Sequence, residues 1–153
     1  LTDAEIILKY GQPGDPTKLT IIKLPYPMRI AWDVTKSVTK IQCHQLIATQ
    51  LLAVFNDLLA HYGFAELQRL GIDLFGGCLN VRLMRGSKTR WSRHAFAIAI
   101  DLDPARNKLK ETKKTARFAR PEYKPMIDIF YKHGFLSYGI ERGNDYMHFE
   151  VAA

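Results

Sequence analysis

The alternation of side chains in residues 96–103 constrains the fold more than any other segment. Successive side chains of a strand point to opposite faces of the sheet. The large apolar residues would share one face: Phe96, Ile98, Ile100 and Leu102. The other face would carry small or acidic residues: Ala97, Ala99, Asp101 and Asp103. A purely structural strand normally fills such a face with larger side chains, so the pattern predicts a core strand with open space beside Asp101.

Two helices and two further extended segments are predicted around this strand. Apolar residues recur at helical spacing over residues 38–62, which predicts a long helix ended by Gly63. A second helix is predicted over residues 121–133 and ends before Gly134. The further extended segments are residues 79–84 and 146–151. Helices and strands do not alternate regularly, so we predict the α+β class, with a small antiparallel sheet flanked by helices.

The chain of 153 residues has the length of one domain. We therefore treat residues 1–153 as a single catalytic domain, with its chemical motifs in residues 75–151. Residues 1–37 are rich in helix and strand breakers: Gly11, Pro13, Gly14, Pro16, Pro25 and Pro27. This composition predicts a segment that wraps the surface in short extended pieces such as residues 19–24.

Charge and cysteine content limit the possible partners and compartments. The formal net charge of +7 favours an anionic partner, for which nucleic acid, membrane surface and wall polymers all qualify. No apolar stretch is long enough to span a bilayer, and residues 1–10, with Asp3 and Glu5, do not resemble a secretory signal. Cys43 and Cys78 are too few for a disulfide framework, so buried free thiols are expected.

His94, Asp101 and His148 form a candidate metal site. His94 and Asp101 are seven residues apart, and a regular strand would put them on opposite faces. Both can reach one ion only if His94 lies before the strand, in a turn or bulge. Two histidines and a carboxylate suit zinc, and three protein ligands leave a position for water, as in catalytic sites.

A nearby carboxylate could take a proton from that water and return it to a leaving amine. Asp145, three residues before His148, is the candidate for this role, and Glu150 is its competitor. Alternatively, Glu150 would orient a ligand histidine. A single histidine is more often structural than a ligand, so the residues alone indicate a plausible metal site and no specific reaction.

Residues 75–151 resemble the zinc D-alanyl-D-alanine carboxypeptidase family of the VanX and VanY type, including its phage endolysin branch. The family pattern reads Ser-x-His, six residues, Asp, then Asp/Glu-x-x-His followed by an aromatic and an acidic residue. The matching positions are Ser92, His94, Asp101, Asp145, His148, Phe149 and Glu150. The stretch from Gly76-Gly77-Cys78 to Arg82, and Arg85-Gly86-Ser87 after it, are also similar to the family.

The resemblance implies a zinc fold shared with these peptidases and with hedgehog domains. It implies one Zn²⁺ per chain, held by His94, Asp101 and His148. It further implies Asp145 as general base and acid, Arg82 as the arginine that contacts substrate and stabilises the oxyanion, and Ser92 as a residue lining the substrate site.

Two positions depart from the family pattern. Ala97 stands where the family usually has a glycine, a change that matters only if the backbone there needs a positive φ. Residues 138–143 stand where a tryptophan-bearing Gly-Gly loop is common, and this loop is expected to border the cleft. The substrate preference therefore stays open. Of the two tryptophans, Trp91 beside Ser92 is the better candidate for a cleft wall.

The leading functional hypothesis is a peptidase that acts on peptidoglycan stem peptides. By analogy with single-domain phage members, we favour an endolysin with L-alanyl-D-glutamate endopeptidase activity, made in the host cytoplasm and acting on the wall after release. The alternative is a D-alanyl-D-alanine carboxypeptidase. A monomer is expected, with no nucleic-acid partner and no membrane insertion. A metal-dependent nuclease ranks behind, since no aromatic platform accompanies the charge. A non-catalytic zinc module leaves Asp145 without a role.

Overall fold

The computed structural model describes residues 1–152 and confirms the α+β class. The strands are β1 (Leu19–Ile30), β2 (Asp33–His44), β3 (Leu74–Gly77), β4 (Ala99–Leu102), β5 (Phe135–Ser137) and β6 (His148–Val151). The helices are α1 (Asp3–Tyr10), α2 (Ala48–Tyr62), α3 (Phe64–Leu70), α4 (Lys124–Lys132) and α5 (Tyr138–Arg142).

The six strands form one sheet in the order β2-β1-β3-β4-β6-β5. All neighbouring pairs are antiparallel except β1 and β3, so the sheet is mixed rather than wholly antiparallel. A parallel pair needs a crossover connection, which here contains β2, α2 and α3. β4 and β6 are interior strands of this sheet, and both carry candidate site residues.

The expectation that residues 1–37 wrap the surface in short pieces is wrong for the part from residue 19 onward. Residues 19–30 form one strand, which pairs with β2 on one side and β3 on the other. Its buried side chains follow the two-residue period of a strand: Ile22, Leu24, Tyr26 and Met28. Pro25 and Pro27 lie between Lys23 and Met28, where the register with β2 shifts. The prolines are accommodated because the ladder is interrupted there.

The predicted long helix begins ten residues later than expected, because residues 38–44 belong to β2 rather than to α2. Val38 and Ile41 are β-branched and pair across the hairpin with β1, which overrides the helical spacing of apolar residues. Gly63 ends α2 at φ +74°, as predicted. The predicted helix over residues 121–133 is confirmed as a 3₁₀ turn, Pro121–Tyr123, followed by α4. Residues 79–84 form no strand and contribute one isolated bridge, Leu83 to Trp91.

The hydrophobic core fixes the strand that carries His148. Phe149, fully buried, points to the opposite face of β6 from its neighbours His148 and Glu150. Its ring stacks on Phe130 of α4 with centroids 3.9 Å apart. Cys43 and Cys78 are buried and free, as expected. Within residues 1–152, no helix combines the length and the apolar character needed to cross a bilayer.

Candidate active site

His94 lies in a 3₁₀ turn, Arg93–Phe96, that precedes β4. The Ser92 side chain caps this turn by accepting a hydrogen bond from the His94 N–H at 3.2 Å. Ala97 follows in the left-handed region, at φ 55° and ψ 38°, and redirects the chain into β4. Because His94 lies in this turn and not on the strand, the seven-residue spacing no longer places it on the face opposite Asp101. Both side chains can therefore face the same point. The predicted turn before the strand is confirmed.

The three predicted metal ligands converge. Asp101 on β4 is directly opposite His148 on β6 in the strand register. Asp101 Oδ1 lies 3.3 Å from His148 Nδ1, and Asp101 Oδ2 lies 3.2 Å from His94 Nε2. One ligand atom from each of the three residues lies within 4.8 Å of the other two.

This arrangement fits a metal ion. Tetrahedral zinc with ligand distances of about 2.0–2.1 Å holds its ligand atoms about 3.3 Å apart, close to the two nitrogen–oxygen separations seen here. His94 Nε2 and Asp101 Oδ1 are also buried without a hydrogen-bond partner in residues 1–152. The nearest ion-pair atoms are Asp101 Oδ2 for the first and His148 Nδ1 for the second. Buried polar atoms are normally satisfied, and a shared cation would satisfy both.

Neighbouring acceptors orient both histidines. The Cys78 carbonyl lies 2.8 Å from His94 Nδ1, and a carbonyl can only accept, so Nδ1 carries the proton and Nε2 is free to bind a metal. Glu150 Oε1 lies 2.8 Å from His148 Nε2 and leaves His148 Nδ1 directed at Asp101. Glu150 therefore occupies the orienting position rather than a position facing substrate.

The electrostatic field at this point favours a cation. Burial alone would lower the pKa of His148, but the carboxylates of Asp101 and Glu150 raise it to about 9. Burial alone would raise the pKa of Asp101, but His148 and His94 hold it well below its usual range. Two carboxylates facing buried imidazoles therefore stabilise positive charge between them.

Asp145 enters the same cavity from the loop after α5. It is half-buried and adopts a left-handed backbone, φ 59°, which is uncommon for a residue other than glycine. Its N–H donates to the Leu109 carbonyl at 3.1 Å, and its own carbonyl accepts from the His148 N–H at 3.1 Å. Burial, and then the charge of Asp101, raise the pKa of Asp145. A carboxyl with a raised pKa beside a metal site suits proton transfer near neutral pH.

Ser92 and Arg82 also line this cavity, whose volume is about 240 Å³. Ser92 is buried, and its contact with the His94 N–H gives it a positioning role in addition to the predicted lining role. Arg82 is half-buried, donates to the Leu83 carbonyl at 3.3 Å, and accepts through its own carbonyl from the Ser92 N–H at 3.1 Å. Arg82 thus lines the cavity that holds the candidate ligands.

The residues of α5 border the cleft, as expected for residues 138–143. The Tyr138 ring lies on the His148 imidazole with centroids 4.1 Å apart, and the Arg142 guanidinium lies 3.6 Å from the Tyr138 ring centroid. Sequence reasoning assigned no role to either residue. Their spacing of four residues on a short helix was the available signal, because such residues share one face.

The two tryptophans are arranged contrary to expectation. Trp91 packs against the core rather than lining the cleft. Trp32, at the tip of the β1–β2 hairpin, is 71% exposed and lines a second cavity of about 190 Å³, together with Asn80. This second cavity shares Arg82 and the candidate ligands His94 and Asp101 with the first.

An unexpected tether links the N-terminal helix to the site. Asp3 accepts hydrogen bonds from the Trp91 N–H and from the Arg93 guanidinium, both at 2.9 Å. Arg93 also donates to the Leu1 carbonyl at 2.7 Å. Trp91 and Arg93, which flank the segment around His94, are thus bound to Asp3 of α1 across about ninety residues of sequence. No local sequence pattern predicts such a contact.

Comparison with known proteins agrees with this geometry. A family model described as D-alanyl-D-alanine carboxypeptidase matches residues 85–151. The match covers less than half of the chain, yet it contains His94, Asp101, Asp145 and His148. It supports a peptidase of this type, without distinguishing the phage endolysin branch. No curated protein and no solved structure matches the chain significantly.

Proposed function

We propose that this chain is a zinc-dependent peptidase that hydrolyses an amide bond in peptidoglycan stem peptides. The observation that carries the proposal is the convergence of His94, Asp101 and His148 within 4.8 Å, in a cavity that Asp145 also lines. The family match over residues 85–151 supports peptidoglycan stem peptides as the substrate class.

In this proposal His94 Nε2, an Asp101 carboxylate oxygen and His148 Nδ1 would hold the metal. When bound, zinc would polarise the scissile carbonyl and make a water acidic enough to ionise near neutral pH. Glu150 and the Cys78 carbonyl keep the two imidazoles in the tautomers that leave these nitrogens free.

Asp145 accepts the proton of the attacking water and returns it to the leaving amine. Its raised pKa brings the carboxyl closer to the pH at which both transfers are efficient. Arg82 stabilises the oxyanion that develops at the attacked carbonyl, since a fixed positive charge in a cavity favours that negative charge. Ser92 holds the His94 turn and borders the substrate.

Two bonds are candidates for cleavage. The description of the matching family favours D-alanyl-D-alanine, whereas resemblance to single-domain phage endolysins favours L-alanyl-D-glutamate. In the endolysin case the chain would act as a monomer on the wall after release from the host cytoplasm. The positive net charge would assist approach to anionic wall polymers in either case.

Digestion of purified peptidoglycan, followed by mass spectrometry of the new termini, tests the proposal. Zinc-loaded protein should release fragments, chelator-stripped protein should not, and added zinc should restore release. A new D-glutamate amine would identify the endopeptidase, and free D-alanine the carboxypeptidase. A folded, zinc-loaded sample that releases neither would overturn the proposed function.

A further inference from the structure

The main cavity carries more positive charge than its acids balance. Apart from Arg82, which the proposed function assigns to the oxyanion, three of its arginines form no ion pair with another residue of the described chain: Arg85, Arg90 and Arg142. Its two carboxylates, Asp101 and Asp145, are assigned to metal binding and proton transfer. A bound divalent cation would increase the positive excess further. A substrate that fills this cavity should therefore bring negative charge.

Arg142 is the best organised of these arginines. Its guanidinium stacks on Tyr138, and Tyr138 in turn lies on the ligand His148. Stacking uses the face of the guanidinium and leaves its N–H edge available for a carboxylate, which such a planar fork binds through two hydrogen bonds. Arg85 and Arg90 are exposed, as Arg142 is, but neither stacks on an aromatic ring of the described chain.

The second cavity indicates which end of a bound peptide should carry the negative charge. Apart from Arg82, His94 and Asp101, which it shares with the main cavity, the described residues that line it are uncharged and include Trp32 and Asn80. The metal site thus lies between an uncharged cavity and a basic one. A peptide that spans the site would place its charged end in the basic cavity, on the side of Arg142 and Asp145.

We infer that Arg142 is a specificity-determining residue whose guanidinium binds a substrate carboxylate on the leaving-amine side of the scissile bond. Asp145, which would protonate that amine, follows Arg142 by three residues and lines the same cavity. The inference rests on the proposed function. Both candidate bonds carry a carboxylate on the carbon attached to the scissile nitrogen: the α-carboxylate of D-glutamate, or the terminal carboxylate of D-alanine.

The test compares acid and primary-amide forms of each short substrate. One pair is N-acetyl-L-alanyl-D-glutamate and its D-isoglutamine counterpart, and the other is N-acetyl-D-alanyl-D-alanine and its C-terminal amide. For the pair that is cleaved, we expect the wild type to prefer the acid by roughly 10- to 100-fold in kcat/KM, as befits a charge-assisted hydrogen-bond pair. Arg142→Ala should lower kcat/KM for the acid substrate to near the value for the amide, mainly through KM, and should lower kcat/KM for the amide much less.

Two further variants separate charge from geometry. Arg142→Lys keeps the charge but loses the stacked fork, so its preference should be intermediate. Arg120→Ala removes an equally exposed arginine outside this cavity, and both substrates should be cleaved as by the wild type. Titration calorimetry of the same peptides with zinc-loaded wild type and Arg142→Ala measures the preference without turnover.

The outcomes distinguish the inference from the proposed function. The inference is overturned if Arg142→Ala still prefers the acid substrate as strongly as the wild type does, in cleavage or in binding. It is also overturned if the variant loses the same factor in kcat/KM for the acid and the amide. The proposed peptidase function would stand in both cases. If the wild type cleaves neither these peptides nor purified peptidoglycan, the proposed function fails. The calorimetric comparison still decides whether Arg142 binds the carboxylate.

Discussion

Asp101 on β4 faces His148 on β6 directly across the sheet, with Asp101 Oδ1 3.3 Å from His148 Nδ1. Because the two strands are antiparallel neighbours inside the sheet, main-chain pairing rather than side-chain flexibility sets this separation. His94 joins them from a capped turn, and Asp145 from a loop. Two ligands are thus fixed by the sheet, and the site depends on two short segments for the rest of its geometry.

Glu150→Ala distinguishes the two roles available to this carboxylate. Since Glu150 accepts from His148 Nε2 at 2.8 Å, its loss should weaken zinc binding by about 10- to 100-fold. Zinc titration of the variant checks this, with the exposed Glu122→Ala as the control that should bind as wild type does. Normal zinc affinity combined with a large loss of kcat would instead make Glu150 the proton-transfer group.

Asp145→Asn should bind zinc with nearly unchanged affinity and lose about 10²- to 10⁴-fold in kcat, because it removes proton transfer and leaves the ligands in place. Hydrolysis assays with the peptide substrate measure kcat, and zinc titration measures the affinity for zinc. Asp128→Asn, an exposed carboxylate on α4, is the matched control. A variant that retains wild-type kcat would remove Asp145 from the mechanism.

Ala97→Gly should change the free energy of unfolding by less than about 1 kcal/mol, because opposing effects nearly cancel. Relief of the left-handed conformation at φ 55° is worth about 1–2 kcal/mol. Against it stand about 0.4–1 kcal/mol of added unfolded-state entropy and about 0.8 kcal/mol for the lost buried methyl group. Thermal unfolding measures the sum. On this balance the alanine is tolerated at a position where the family pattern that the chain resembles has glycine.

Ala97→Val provides the contrast, since a β-branched residue is a genuine outlier at positive φ and the site is fully buried. We expect a loss of more than about 2 kcal/mol and weaker zinc binding through displacement of His94. A valine variant as stable as wild type, or a glycine variant stabilised by several kcal/mol, would contradict the strained turn.

Asp3→Asn tests the tether through its pH dependence. Burial raises the pKa of Asp3, but the hydrogen bonds from the Trp91 N–H and Arg93 together lower it by more than burial raises it. The pKa of Asp3 in the folded protein therefore lies below its value in the unfolded chain. The stabilisation by Asp3 is then complete above about pH 4 and is lost as the pH falls through the lowered folded pKa. The wild type should melt above Asp3→Asn at pH 6, and the difference should vanish in strong acid. A difference independent of pH would contradict this account.

The sequence was sufficient to predict the candidate site because its chemistry is written in short motifs. His94 and Asp101 would lie on opposite faces of a regular strand, so a shared site required a turn before the strand, and the structure contains one. The second helix was predictable from its flanking Pro121 and Gly134. These features depend on local spacing, and local spacing is what a single sequence reveals.

Long-range contacts explain what sequence reasoning missed. Pro25 and Pro27 argued against a strand until the shift in register with β2 was known. The apolar residues Val38 and Ile41 matched a helical period but pair with β1. Asp3 and Trp32 reach the region of the site only through the tertiary fold, so no nearby pattern could have assigned them a role.

Metal analysis after equilibrium dialysis tests the central claim most directly. Wild type and Asp145→Asn should each retain one zinc ion per chain, whereas Asp101→Asn and His148→Ala, checked for folding by circular dichroism, should retain little or none. A folded wild type that binds no zinc, or ligand variants that bind it as wild type does, would contradict a metal centre formed by His94, Asp101 and His148.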